Sequence, residues 1–241
     1  MLLNKQMNPK LIFSVPPLVD SFVNHFQRQA DLKNIFIFLR MPKNASISPE
    51  WQVDLPDAHL RYYRNIFPKI EADHYFNHLL EQIPWQQDDV KVFGNVYAQP
   101  RLTSLHSNSL KTYTYSGLTL LPHPMTEELT ALLDRIKTVS DHDFNCVLLN
   151  LYRDGADSNG WHADNEKELG KHPQIASYSF GASRFFHFKH RKIKEQRHKI
   201  ELHHGSLLMM EGAMQEHWLH QIPKTKKPME PRINLTFRKI I

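Results

Sequence analysis

The chain has 241 residues, 41% of them apolar and 23% charged, enough to bury a full core in one domain or in one domain with an appendage. Its single cysteine, Cys146, excludes an intramolecular disulfide framework and suits a reducing compartment: the cytoplasm, or the nucleus of a eukaryotic cell. No apolar run approaches a transmembrane span, and the early stretch LIFSVPPLV, broken by Pro16 and Pro17, does not read as a signal peptide, so no membrane partner is expected.

Residues 1–57 show little clean periodicity and read as an N-terminal extension of unknown role, with one helix around LVDSFVNHFQRQADL. From DAHLRYYRNIF to HYFNHLLEQI the spacing is helical, with Phe76, Leu79, Leu80 and Ile83 on one side, until Pro84 ends the pattern. TEELTALLDRIKTV predicts a second amphipathic helix, capped by Thr126 and with acids in its first turn. After about residue 144 the texture changes to short strands: FNCVLLNLY, IASYSF, RFFHFKH, GSLLMM and PRINLTFRKI, with breaks at Asp154-Gly155, Asn159-Gly160, Gly181 and Gly205. Strands in a row after helices predict an α+β chain whose core is a β-sandwich or jelly roll with helices packed outside. Charge is uneven along this plan. The chain carries +5, and the segment from Lys189 to Lys199 alone holds six basic residues against the single acid Glu195. A second cluster, Lys224, Lys226 and Lys227, follows, and such patches suit a polyanion, nucleic acid first.

The chemistry-bearing stretch is GWHADNEKELG, residues 160–170. His162 and Asp164 stand two apart, wrong for one face of a helix but right for one side of an extended strand, where both can aim at one metal ion. With 16 histidines in the chain, a single His-X-Asp is what chance supplies, so other features must carry the case. In PRINLTFRKI, Arg232, Asn234, Thr236 and Arg238 alternate with Ile233, Leu235 and Phe237. Two guanidiniums on one strand face can hold a small dicarboxylate in a bidentate way. Asn150 and Tyr152 likewise share a face. Downstream, EHWLHQIPK offers His217 or His220 as a third ligand, and spacing does not choose between them. Two histidines and one carboxylate make the facial triad of non-haem Fe(II) oxygenases, whereas a closed zinc site would want four ligands.

From about Val92 to Ile241 the sequence resembles the AlkB family of Fe(II)- and 2-oxoglutarate-dependent dioxygenases, closest to the members that repair double-stranded DNA. The matching pieces, in the family's order, are VFGNVYAQPR, YTYSGLTL, NLYRDG, WHADNE, IASYSFGASRFF, HGSLLMM, HWLHQIPK and PRINLTFRKI. The resemblance implies His162, Asp164 and His220 as catalytic iron ligands, and Asn150, Tyr152, Arg232, Asn234 and Arg238 around 2-oxoglutarate, with Thr236 on the same strand face. It implies a double-stranded β-helix core over residues 58–241, with a nucleotide-recognition lid at about 88–120. Substrate contacts would come from Phe93, Gly94, Asn95, Tyr113, Thr114 and Tyr115.

The implied reaction uses O2 to hydroxylate an N-alkyl group of a DNA base such as 1-methyladenine or 3-methylcytosine. It releases succinate, CO2 and formaldehyde, and a monomer is expected to carry it out. The same chemistry on RNA is the alternative reading, and a non-catalytic nucleic-acid-binding jelly roll the remote one. The base must be flipped; Tyr113, Tyr115 and His162 would sandwich it and Phe93 would fill the vacated stack. The chain departs from the family at Asn165, where a second Asp often meets the damaged base. An amide accepts a hydrogen bond from an exocyclic amine but does not offset a cationic lesion.

Overall fold

The computed structural model describes residues 47–92, 95–108, 113–115 and 118–241. The helix expected within 18–32 lies outside these residues, as do Phe93 and Gly94. Of Asn95, Tyr113, Thr114 and Tyr115 only the backbone is described.

Two sheets form the body. The larger has the order β1 (Trp51–Leu55), β2 (Ala58–Tyr63), β14 (Ser206–Gly212), β11 (Ile175–Gly181), β16 (Arg232–Arg238), β9 (Cys146–Tyr152), β5 (Leu102–Ser107) and β8 (His123–Pro124). The smaller runs β10 (Asn159–His162), β15 (Trp218–Ile222), β12 (Arg184–His190) and β13 (Arg197–Leu202). Neighbours are antiparallel except β5 and β8. Two short ribbons, β3 (Asp89–Val92) with β4 (Asn95–Ala98) and β6 (Tyr113–Tyr115) with β7 (Leu118–Leu120), stand apart from both sheets. Helices α1 (Lys69–Gln82), α2 (Glu127–Ile136) and the single turn α3 (Met214–His217) complete the order. This is the jelly-roll, or double-stranded β-helix, architecture with few helices.

Period-two alternation decides which side chains face what. On β9, β11, β14 and β16 one set, including Leu149, Tyr178, Met209, Ile233, Leu235 and Phe237, joins Leu79 of α1 and Leu129, Leu132 and Ile136 of α2 in one apolar cluster. The opposite faces of the large sheet meet the small sheet, where Tyr152, Leu208 and Met210 pack with Phe186, Phe188, Trp218 and Ile222. Every residue of β16 is therefore buried, apolar toward the helices and polar toward the second sheet. A half-exposed strand with its polar side in water is not what forms.

Three features differ from the sequence reading. Residues 57–67 are not helical: Ala58, Leu60 and Tyr62 are buried at intervals of two, and the segment is strand β2, paired with β14. Neighbours across the sheet, rather than intrinsic helix preference, select the extended state. Helix starts only at Lys69, behind Pro68, and buries Ala72, Tyr75 and Leu79 before Ile83 and Pro84 end it. Second, the compact unit begins at Ile47, not at residue 58, because β1 adds an edge strand to the large sheet through a full register with β2. Third, within the stretch read as a lid, β5 is an integral strand of the large sheet next to β9. Thr126 does cap α2, accepting from the Leu129 N–H at 3.3 Å, with Glu127 and Glu128 in the first turn.

Candidate metal and co-substrate site

The pairing of β10 with β15 sets His162 opposite His220, across an irregular step that follows Asn159. Their rings meet edge to face with centroids 4.3 Å apart. Asp164 lies just past the end of β10, outside any regular strand, so strand alternation alone does not place it. Two contacts do. Its backbone N–H donates to Gln215 Oε1 of α3 at 3.0 Å, and its Oδ1 accepts from Arg238 Nη2 at 3.0 Å. One ligand atom each from His162, Asp164 and His220 then lies within 4.8 Å of the others.

The protonation states suit a cation. His162 Nδ1 faces the Gly160 carbonyl at 2.7 Å, so it carries the proton, and the Nε2 lone pair accepts from Asn159 Nδ2 at 3.1 Å with Asp164 Oδ1 4.0 Å away. Burial holds the His162 imidazole below its usual range, and burial pushes His220 down to about 3. For Asp164, burial alone would raise the carboxyl, but the Arg238 guanidinium bound to it outweighs burial and keeps it below the usual carboxylate range. Two neutral imidazoles beside an ionised carboxylate are what a divalent metal requires of its ligands.

His217, the other histidine left open by spacing, goes elsewhere. It joins Asp57 and His190 in a second three-residue cluster. There His190 Nδ1 accepts from the backbone N–H groups of Lys192 and Ile193 at 3.1 and 2.9 Å, so the proton sits on Nε2, which faces Asp57 at 3.3 Å. A nitrogen that must donate has no lone pair for a metal. That cluster is a brace for the turn after β12.

Behind the ligand set, β16 lines a cavity together with Asn150 and Tyr152 of β9 and Ser177 of β11. Arg232 is 1% exposed; its Nη2 donates to Ser179 Oγ at 2.9 Å and its guanidinium lies 5.2 Å from the Tyr152 ring centre. The Nε and Nη1 atoms of Arg232 are buried and make no hydrogen bond. Burial lowers its pKa to about 10, which still leaves a full positive charge at neutral pH. A buried cation with open donors is costly unless an anion completes it. Asn234 is fixed by bonds to Ser177 Oγ and the Tyr178 carbonyl at 2.9 and 2.8 Å, and Thr236 donates to Asn234 Oδ1 at 3.2 Å. Asn150 stands opposite Asn234 and its Oδ1 accepts from Arg101 Nε at 2.7 Å.

Of the residues expected to hold metal and dicarboxylate, all but Arg238 line this cavity; Arg238, expected to hold 2-oxoglutarate, is bound to Asp164 instead. Asn165 is exposed beside Asp164. Phe93 and Gly94, and the side chains of Asn95, Tyr113, Thr114 and Tyr115, lie outside what the structure describes. Sequence reasoning passed over Arg101, Gln215 and Phe186, whose ring stacks on His220 at 5.2 Å. It also passed over Ser177 and Ser179, although their alternation with Ala176, Tyr178 and Phe180 in IASYSF was a readable signal.

Comparison with known proteins gives the class and the family. Residues 59–238 match the family model described as the 2OG-Fe(II) oxygenase superfamily, which sets the class: enzymes built to use Fe(II), 2-oxoglutarate and O2. DNA oxidative demethylase ALKBH2 of Mus musculus is 40% identical over 204 residues, covering 80% of this chain and 85% of that protein. The Homo sapiens protein of the same name is 38% identical, covering 81% and 79%. Alpha-ketoglutarate-dependent dioxygenase alkB homolog 3 of Bos taurus is 43% identical, covering 70% and 62%. The chain belongs to the AlkB family of these dioxygenases.

Proposed function

We propose that this chain is an oxidative dealkylase of N-alkylated DNA bases of the 1-methyladenine and 3-methylcytosine type. His162, Asp164 and His220 would hold Fe(II), and Arg232 the distal carboxylate of 2-oxoglutarate. The observation that carries the reading is the pairing, in one cavity, of a metal-ready ligand set with a buried guanidinium whose Nε and Nη1 make no hydrogen bond. Fe(II) and 2-oxoglutarate, when bound, supply with O2 the oxidation that hydroxylates the N-alkyl carbon; the hydroxymethyl base then splits into formaldehyde and the repaired base.

The chain's own residues position and shield. Arg238 clamps Asp164 so that its carboxylate stays ionised and aimed. Asn234, Asn150 and Thr236 would present polar groups to the co-substrate from the cavity wall, and Tyr152 walls one side of Arg232. Phe186 against His220 keeps water from that imidazole. We assign the β3–β4 and β6–β7 ribbons, with Phe93, Gly94, Asn95 and Tyr113 to Tyr115, to the lid that receives the flipped base. Asn165 offers an amide to the base edge without a countercharge. The exposed turn Arg191–Glu195 between β12 and β13, with Lys224, Lys226 and Lys227, supplies a sequence-independent grip on phosphates.

The test is formaldehyde release from 1-methyladenine and 3-methylcytosine oligonucleotides with Fe(II) and 2-oxoglutarate, run side by side on duplex DNA, single-stranded DNA and single-stranded RNA. Release dependent on both additives supports the reading. Absence of product from properly reconstituted protein sinks it, and a rate highest on RNA moves the same chemistry to the alternative substrate.

A further inference from the structure

The face of the small sheet turned away from the cavity has a composition unusual for solvent-exposed β-structure. Phe186, Phe188 and His190 of β12 point inward, so Phe185, His187 and Lys189 point out. Across the strand pair, Phe185 stands opposite Glu201, His187 opposite Lys199 and Lys189 opposite Arg197. On the far side of the sheet Trp161 of β10 shares this outer face, because Lys189 places its Nζ 4.2 Å from the indole centre. Lys199 does the same to Phe185 at 5.2 Å. Trp161 is 40% exposed and Phe185 45%. A groove beside Trp161 is lined by His187, Phe188, Arg197, His198 and Lys199.

Two large rings stand open to water on one face, each attended by an ammonium, and Arg197 shares the groove beside Trp161. They are complementary to something flat and negatively charged. We propose that this outer face is a stacking platform for a single strand of nucleic acid flanking the reacting nucleotide. Bases would lie on Trp161 and Phe185, and Lys189, Arg197 and Lys199 would meet the phosphates between them. A base can take the lysine's place over each ring while the ammonium swings to a neighbouring phosphate, so both contacts improve together. Duplex bases already have their faces covered by neighbours, which is why the platform suits an unpaired strand. The location is apt: Trp161 precedes the candidate ligand His162 in the chain, and the basic turn 191–195 continues the same charge. The carboxylate on this face, Glu201, is drawn toward His203 at 3.6 Å. The inference deepens the functional reading above and rests on it for the choice of nucleic acid as the polyanion.

The test uses undamaged DNA and no iron, so its outcome is independent of whether dealkylation occurs. Fluorescence anisotropy would follow the full chain binding a labelled oligothymidine strand of about 15 nucleotides and a duplex of equal length. Trp161→Ala and Phe185→Ala should each weaken single-strand binding about ten-fold while duplex binding stays within about two-fold. Phe185→Trp should restore it. The double variant Lys189→Gln/Lys199→Gln should flatten the single-strand salt dependence by about 1.4 in log–log slope. Unchanged single-strand affinity in both alanine variants overturns the proposal, as does an equal loss on duplex, or a tryptophan at 185 that binds no better than alanine. Should an alanine variant fail to fold by circular dichroism, the lysine pair decides, and an unchanged slope then overturns it.

Discussion

His162 and His190 both have Nδ1 engaged by backbone, with opposite consequences. At His162 the partner is a carbonyl, so Nδ1 keeps the proton and Nε2 is a ligand; at His190 the partners are N–H groups, so Nε2 must donate. A one-letter sequence does not contain that difference. His220→Ala should abolish turnover while leaving affinity for undamaged DNA unchanged, read by formaldehyde release and by anisotropy. Arg232→Ala should raise the 2-oxoglutarate requirement about 30-fold or more, since removing one partner of a buried charge pair costs ~2–5 kcal/mol. Titrating 2-oxoglutarate at saturating oligonucleotide measures it. The imidazoles also couple stability to pH. Burial depresses His220 to about 3 in the folded chain against 6.5 as its ordinary value, so between those values the unfolded chain binds more protons and stability falls as pH falls. Denaturant titrations of metal-free wild type and His220→Gln from pH 6.5 to 4 should show the wild type losing more, by up to about 1.4 kcal/mol per pH unit. Parallel curves would remove the coupling from His220.

At the scale of elements, the antiparallel register of β10 against β15 brings two histidines 58 positions apart into ring contact, and β16 supplies the polar row behind them. The alternation in PRINLTFRKI was legible as a strand, and so were four other segments after residue 144 and the capped helix α2, whereas β10, β13 and β15 were not read as strand segments. Strand β2 was not, because apolar residues in DAHLRYYRNIF fit a helical spacing as well as an alternating one, and pairing with β1 and β14 arbitrates. Gly181 closes the turn from β11 to β12 at φ +84°, and a Cβ there would lie 2.3 Å from the Pro231 carbonyl oxygen. Gly181→Ala should therefore destabilise by more than the ~1 kcal/mol expected of Thr126→Ala, which removes only a helix cap. Urea midpoints of the two variants check the order, and equal midpoints would contradict it.

Among the described residues, two sheets enclose the ligand cavity, helices cover the back of the large sheet, and basic side chains line the turn between β12 and β13. The exposed positions of Lys192, Lys194 and Arg197 predict that neutralising all three weakens duplex DNA binding and lowers the log–log salt slope by about 2.7. Salt-series anisotropy measures this, and an unaltered slope would leave the turn as ordinary solvated surface. Composition, strand alternation and the order of motifs by themselves determined a β-rich core, a His-X-Asp, a downstream histidine and a two-arginine strand. Those properties are local, written in spacings of two to four residues. The family resemblance had already chosen His220 over His217; only the tertiary structure decided that His217 joins Asp57 and His190, that Gln215 and Arg238 place Asp164, and that Trp161 and Phe185 share one outer face. Each depends on which strands become neighbours and on which groups burial strips of water, and neither is encoded within reach of any single segment.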